Sequence, residues 1–122
     1  MKKDIKISDA ELEVLKIIWK KGIANSLEII DEIKKDFKWN ESTIRTLMAR
    51  LQSKGAIDIE RKEGRIYFYK SLINENEYKL KQSKDFLRKM YNGSIKEMML
   101  NFVKDNGITK EEAEELMKLI EK

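Results

Sequence analysis

Apolar residues recur at helical spacing from Leu12 to Leu51, alternate with polar ones from Ile57 to Tyr69, and return to helical spacing in the last third of the chain. Ser8-Asp9-Ala10-Glu11 has the form of a capping box, with Ile7 and Leu12 at the staple positions. A first helix is predicted from near Ser8 to near Lys21, with Leu12, Leu15, Ile18 and Trp19 on its apolar face and Gly22 as its stop. Ser26 is read as the cap of a second helix, whose buried face is marked by Leu27, Ile30, Ile33 and Phe37. Lys38-Trp39-Asn40 breaks that pattern. Asn40 then caps a third helix with Ile44, Leu47, Met48 and Leu51 at i, i+3, i+4 and i+7, stopped by Gly55.

After Gly55 the period falls to two. Ile57 and Ile59 alternate with Asp58 and Glu60, Ile66 and Phe68 alternate with Tyr67 and Tyr69, and Lys62-Glu63-Gly64-Arg65 lies between them. This is the pattern of a β-hairpin with a charged tip. Three helices followed by a hairpin is the element order of a winged helix-turn-helix, in which the third helix is the reader of a DNA groove. From Asn74 the chain reads as helical again, with Phe86, Leu87, Met90 and Tyr91 gathering before Gly93. Ser94-Ile95-Lys96-Glu97 and Thr109-Lys110-Glu111-Glu112 mark two further starts, divided by an Asn106-Gly107 stop. The expected fold is mainly α with a small β-hairpin: a winged helix-turn-helix DNA-binding domain over residues 1–72 and a C-terminal helical dimerisation region over residues 73–122.

A length of 122 residues allows one compact domain, or a small domain with an appended helical piece, and excludes a large multidomain enzyme. The chain has no Cys and no His, which removes disulfides, zinc-finger sites, thiol chemistry and the commonest general base. Asp and Glu are plentiful but none is grouped with a nucleophile or a phosphate loop, so no catalytic residue and no cofactor are expected. Met1-Lys2-Lys3-Asp4 leads into alternating polar residues rather than an apolar signal region, and no run has the length of a membrane span. The cytoplasm is the expected location.

Charge sharpens the picture through its position. Residues 1–37 carry eight basic and eight acidic side chains, residues 71–122 carry ten of each, and residues 38–70 carry eight basic against four acidic. The whole net charge of +4 therefore lies in the third helix and the hairpin. On that helix the side opposite the apolar stripe holds Ser42, Thr46, Ala49 and Ser53, with Arg45 on one flank and Thr43 and Arg50 on the other. A face that is small at its centre and edged by guanidinium groups admits close approach to a groove while the arginines reach guanine or phosphate. The hairpin adds Arg61, Lys62 and Arg65 for a neighbouring backbone. The alternative reading is a helix whose arginines only pair with nearby acids.

The C-terminal helices carry a second constellation. Ile95, Met98, Met99, Phe102 and Val103 share one helix, and Ala113, Leu116, Met117 and Ile120 share the next. These segments are too short to close a core alone, so a two-fold homodimer is expected, with Met98, Met99, Phe102, Val103, Leu116 and Ile120 at its interface. Folding back onto the N-terminal domain is the alternative. Met90, Met98, Met99 and Met117 are read as adaptable interface filler rather than as soft metal ligands, and no metal site is expected.

The chain resembles the penicillinase and methicillin-resistance repressors of the BlaI/MecI/CopY family. The resemblance rests on Ile7-Ser8-Asp9-Ala10-Glu11 with Val14 and Trp19, on Thr43-Ile44-Arg45-Thr46-Leu47 with Arg50-Leu51 and Lys54-Gly55, and on Leu100-Asn101-Phe102-Val103. It implies a homodimeric repressor of β-lactam-resistance genes on a pseudopalindromic operator, with Ser42, Thr43, Arg45 and Thr46 reading the major groove. It also implies inactivation by a cut at the Asn101–Phe102 bond, with a membrane β-lactam-sensor protease or its downstream protease as a partner. The copper-responsive branch carries a C-terminal cysteine cluster that this chain lacks, which disfavours copper sensing. A winged-helix protein-interaction module without specific DNA binding is the other expectation, and the positive third helix argues against it.

Overall fold

A computed structural model describes residues 5–120, with the side chain of Ile120 outside the described set. These residues form two compact units that divide between Glu75 and Asn76. The elements run α1 (Asp9–Lys21), β1 (Ile23–Asn25), α2 (Ser26–Asp36), α3 (Glu41–Ser53), β2 (Ile57–Glu63), β3 (Ile66–Ser71), α4 (Glu75–Tyr91), α5 (Ile95–Lys104) and α6 (Lys110–Ile120). The chain is mainly helical, and its first unit has the winged helix-turn-helix order expected from the sequence.

Caps place the helices of the first unit. The Ser8 hydroxyl accepts the Glu11 N–H at 3.1 Å while a Glu11 carboxylate oxygen accepts the Ser8 N–H at 2.9 Å, the reciprocal pair that opens α1. The cap of α2 is Asn25 and not Ser26: Asn25 and Glu28 exchange bonds of 2.8 and 2.9 Å, and Ser26 is the first helical residue. The buried stripe is Ser26, Ile29, Ile30 and Ile33; of the other residues expected on it, Leu27 is exposed and Phe37, the C-cap, is only partly buried. The stripe of α1 also differs from the expected one. Glu11, Val14, Leu15 and Ile18 are buried, whereas Leu12 and Trp19 are only partly so. Asn40 caps α3 through the Thr43 N–H at 2.7 Å, as expected.

β1 was not expected. Its three residues pair antiparallel with β3, giving a sheet of order β1-β3-β2 against which the helices pack. The core joins Val14, Leu15 and Ile18 of α1 to Ile44, Leu47, Met48 and Leu51 of α3 and to Ile57 and Tyr69 of the sheet, with α2 closing the remaining side. The Trp19 indole N–H donates to the Ser71 hydroxyl and the Ile73 carbonyl, each at 3.0 Å, tying α1 to the end of β3.

The end of α3 explains the Lys54-Gly55 pair. The Ala56 N–H bonds the Leu51 carbonyl at 2.9 Å and the Gly55 N–H bonds the Gln52 carbonyl at 3.0 Å, a Schellman closure whose turning residue has φ +80° and is therefore glycine. Lys54, just before it, sends its ammonium back to the buried Glu11 carboxylate and to the Lys6 carbonyl at 2.7 Å. Burial pushes the Glu11 carboxyl up, but Lys54 and the Ser8 N–H and hydroxyl more than reverse this and hold it below the usual carboxylate range. A depressed folded-state value makes the contribution complete above the ordinary carboxylate range, and the contribution disappears as pH falls through the folded value. Glu11→Gln is accordingly expected to cost about 1–3 kcal/mol in urea unfolding at pH 7. The gap from the parent should close as the pH is taken down through the carboxylate range.

In the second unit α4 carries Leu80, Phe86 and Met90, all exposed. Ser94 caps α5 by accepting the Glu97 N–H at 3.1 Å, but the expected reciprocal bond is not formed, because the Ser94 N–H donates to the Tyr91 carbonyl at 2.9 Å. Thr109 and Glu112 form the full box that opens α6, with both bonds at 3.0 Å. α5 ends in a second Schellman closure, Gly107 N–H to Phe102 carbonyl at 2.8 Å and Asn106 N–H to Val103 carbonyl at 3.1 Å, with Asn106 at φ +60°.

Candidate nucleic-acid interface

The fold presents one long face of α3 to solvent. Ile44, Leu47, Met48 and Leu51 are spent on the core, and at 3.6 residues per turn this leaves Ser42, Thr43, Arg45, Thr46, Ala49, Arg50 and Ser53 exposed together. The Thr46 hydroxyl donates to the Ser42 carbonyl at 3.0 Å, which turns the side chain along the helix and keeps the centre of the face low. Arg45 gives its Nε to the Glu41 carboxylate at 3.2 Å, one turn earlier. The two terminal nitrogens of the guanidinium remain for a ligand. Among the described residues Arg50 and Arg65 have no ion-pair partner, so the expected alternative, arginines that only pair with nearby acids, describes Arg45 and not Arg50.

Beside this helix stands the β2–β3 hairpin. Its strands are longer than the alternation implied. Glu63 pairs with Ile66, which leaves only Gly64 and Arg65 in the turn, with Gly64 at φ +62° where a side chain is disfavoured. The register shifts between Ile59, which faces Tyr69, and Arg61, which faces Phe68, so Glu60 is the extra residue of a β-bulge. Partners across antiparallel strands point to the same side. Ile59, Tyr69, Lys62 and Tyr67 therefore share the core-side face and its continuation toward the tip, while the bulge turns Arg61 and Phe68 to the other side.

Both cations rest on rings. The Arg61 guanidinium lies 4.1 Å from the centre of the Phe68 ring, with Glu63 at 3.6 Å, and the Lys62 ammonium lies 5.1 Å from the centre of the Tyr67 ring. The hairpin thus carries one held cation on each face and Arg65 at its tip. Sequence reasoning singled out these cations as DNA contacts and treated Tyr67, Phe68 and Tyr69 only as strand positions, although Phe68 and Tyr67 are the rings on which Arg61 and Lys62 rest. Alternation alone gives the two faces of β3, whereas the side that meets the core follows from the bulge, which has no signature in Glu60-Arg61.

The C-terminal residues singled out in the sequence fall into two settings. Met99 and Val103 line an apolar groove between α5 and α6 together with Leu100, Ala113 and Met117, rimmed by lysines 96, 110 and 118. Met98 is half-buried, Phe102 and Leu116 are exposed and outside that groove, and the Ile120 side chain lies outside the described residues. Asn101 and Phe102 sit in the last turn of α5. The Asn101 carboxamide donates to the Tyr91 hydroxyl at 3.2 Å, and the Phe102 carbonyl accepts the closing bond from Gly107. An open hollow lined by Asn101, Phe102, Lys104 and Asp105 borders that bond. Among the described residues there is no group of three or more acidic side chains able to hold a metal ion, and no helix long and apolar enough to cross a membrane.

Comparison with known proteins places this architecture. The chain is 43% identical over 121 residues to a penicillinase repressor of Bacillus licheniformis, covering 99% of this chain and 94% of the relative. It is 42% identical over 120 residues to the methicillin resistance regulatory protein MecI of Mammaliicoccus sciuri, covering 98% and 97%. A solution structure of monomeric Bacillus licheniformis BlaI in complex with the blaP half-operator matches 64% of this chain and 94% of that chain, with 47% identity and a TM-score of 0.55. The family model for penicillinase repressors matches residues 7–122. By descent as well as by fold, the chain belongs to the penicillinase repressor family, a family of transcriptional repressors and not of enzymes.

Proposed function

We propose that this protein is a cytoplasmic, homodimeric repressor that holds the operator DNA of β-lactam-resistance genes. Residues 1–72 bind DNA and residues 73–122 join two copies. The observation that carries the reading is the exposed face of α3, free of acids from Ser42 to Ser53, beside a hairpin that holds a cation on each side. Ser42, Thr43, Arg45 and Thr46 meet base edges in the major groove, and Arg50, Arg61, Lys62 and Arg65 meet phosphates on either side of it. The likeness to a BlaI domain solved on a half-operator supports the same use of the same surface.

Dimerisation is supported by apolar side chains that one chain leaves uncovered: Leu80, Phe86 and Met90 on α4, Leu100 and Phe102 on α5, and Leu116 and Leu119 on α6. Release follows from cutting the Asn101–Phe102 bond, by a membrane β-lactam-sensor protease or a protease downstream of it. The bond is held in a helical turn, so cleavage waits on local opening of the Schellman closure. The test is binding of the full chain to a blaP operator duplex and to a scrambled duplex over a range of salt. Affinity is expected to fall steeply with salt on both and to favour the operator; a flat salt dependence or equal affinities would contradict the reading. Within that series Lys62→Ala should weaken both duplexes alike and flatten the logarithmic salt slope by about 0.9 per protomer.

A further inference from the structure

Tyr69 is 9% exposed, yet among the described residues no hydrogen bond reaches its hydroxyl. A phenol this deep normally finds a partner. None of the described buried side-chain oxygens is both sealed from solvent and unpaired, so this oxygen opens at the surface. Its surroundings are defined. The strand alternation puts Tyr67 on the same face two residues earlier, Lys62 is the cross-strand partner of Tyr67 and rests on its ring, and Tyr69 joins the core that also holds Ile44, Leu47, Met48 and Leu51 of α3. Burial pushes the Tyr69 phenol up, opposed by the Arg45 guanidinium, whose charge reaches it from α3. At neutral pH the group is a neutral donor in a positive corner.

We propose that the Tyr69 and Tyr67 hydroxyls, with the Lys62 ammonium held on the Tyr67 ring, form a seat for one backbone phosphate of duplex DNA in the angle between α3 and the hairpin. The seat rests on the DNA-binding reading above and adds to it residues that no charge count reveals. The donors are neutral phenols and an ammonium, which suits a phosphodiester oxygen, and no acid of the hairpin shares their face: Glu63 is drawn to Arg61 on the other side, and Glu60, the bulged residue, pairs with Lys70 at 3.0 Å. The phosphate would fix how far α3 enters the groove, because Tyr69 is anchored in the core that also holds α3.

The test is Tyr69→Phe in the full chain, which removes one oxygen and leaves the packing. Binding to the blaP operator duplex and to a scrambled duplex should weaken by the same factor, about tenfold, with the salt slope unchanged because no charge is lost. The melting temperature of the free protein should hold, since the lost hydroxyl has no partner inside the fold. A scan of single methylphosphonate substitutions along the operator should find one position whose penalty is smaller for Tyr69→Phe than for the parent, the remainder being held by Tyr67 and Lys62. Affinity within twofold of the parent, or a lowered melting temperature that assigns the hydroxyl a structural bond, would overturn the seat. A parent chain that binds neither duplex would instead overturn the proposed function.

Discussion

Replacing Arg45 with alanine is expected to abolish tight operator binding while leaving the weak, salt-sensitive affinity for other duplexes nearly as it was. Arg45 stands on the exposed face of α3, and its Nε bond to Glu41 leaves both terminal nitrogens for a ligand. That geometry suits two parallel bonds to the acceptor edge of a guanine, worth about 1–3 kcal/mol of discrimination. Each protomer of a dimer loses one such contact, so the operator affinity should fall by the equivalent of about 2–6 kcal/mol, between thirtyfold and more than ten-thousandfold on the logarithmic scale of affinity. Competition of operator and scrambled duplexes for Arg45→Ala measures this. A loss shared equally by both duplexes would make Arg45 a phosphate contact and return the reading of bases to Ser42, Thr43 and Thr46.

The second large effect concerns the tail. A chain ending at Asn101 loses Phe102–Lys122, and with them Val103, Ala113 and Met117, three of the five apolar residues that line the groove between α5 and α6. If that groove and the exposed faces around it join two copies, the shortened chain should sediment as a monomer. Operator affinity should then fall by a factor of about 10²–10⁴, because the second half-site is no longer presented at a high effective concentration. Binding to a half-operator should be unchanged, since unit 1, with α1–α3 and the sheet, lacks nothing. A shortened chain that stays dimeric would move the interface to α4, where Leu80, Phe86 and Met90 are exposed.

The elements that could be read from the sequence were those whose causes are local. Ser8 with Glu11, Asn40, Gly55 and the Asn106-Gly107 stop each act within one turn of chain, and the structure uses all of them. The crowding of positive charge into α3 and the hairpin was equally legible, because charge is carried in the composition of a segment. What escaped depends on partners far along the chain. β1 is a strand only because β3 lies against it, and three residues leave no period to read. Glu11 looked like a cap and is also a buried anchor for Lys54, a pairing across 43 positions. The Asn25-x-x-Glu28 box was present in the letters, but Ser26 beside it is an equally good cap and drew the helix start one residue late. Tyr69 was hidden by the bulge at Glu60, which decides which cross-strand pairs face the core.

Two copies of this chain are expected to grip one operator through α3 and the hairpin. Sedimentation of the full chain with a palindromic blaP operator duplex, and with its half, tests it most directly. Two chains are expected on the whole operator and one on the half, with the whole site held far more tightly. One chain bound to the whole operator as tightly as to the half, with free protein that sediments as a monomer at the same concentrations, would contradict it.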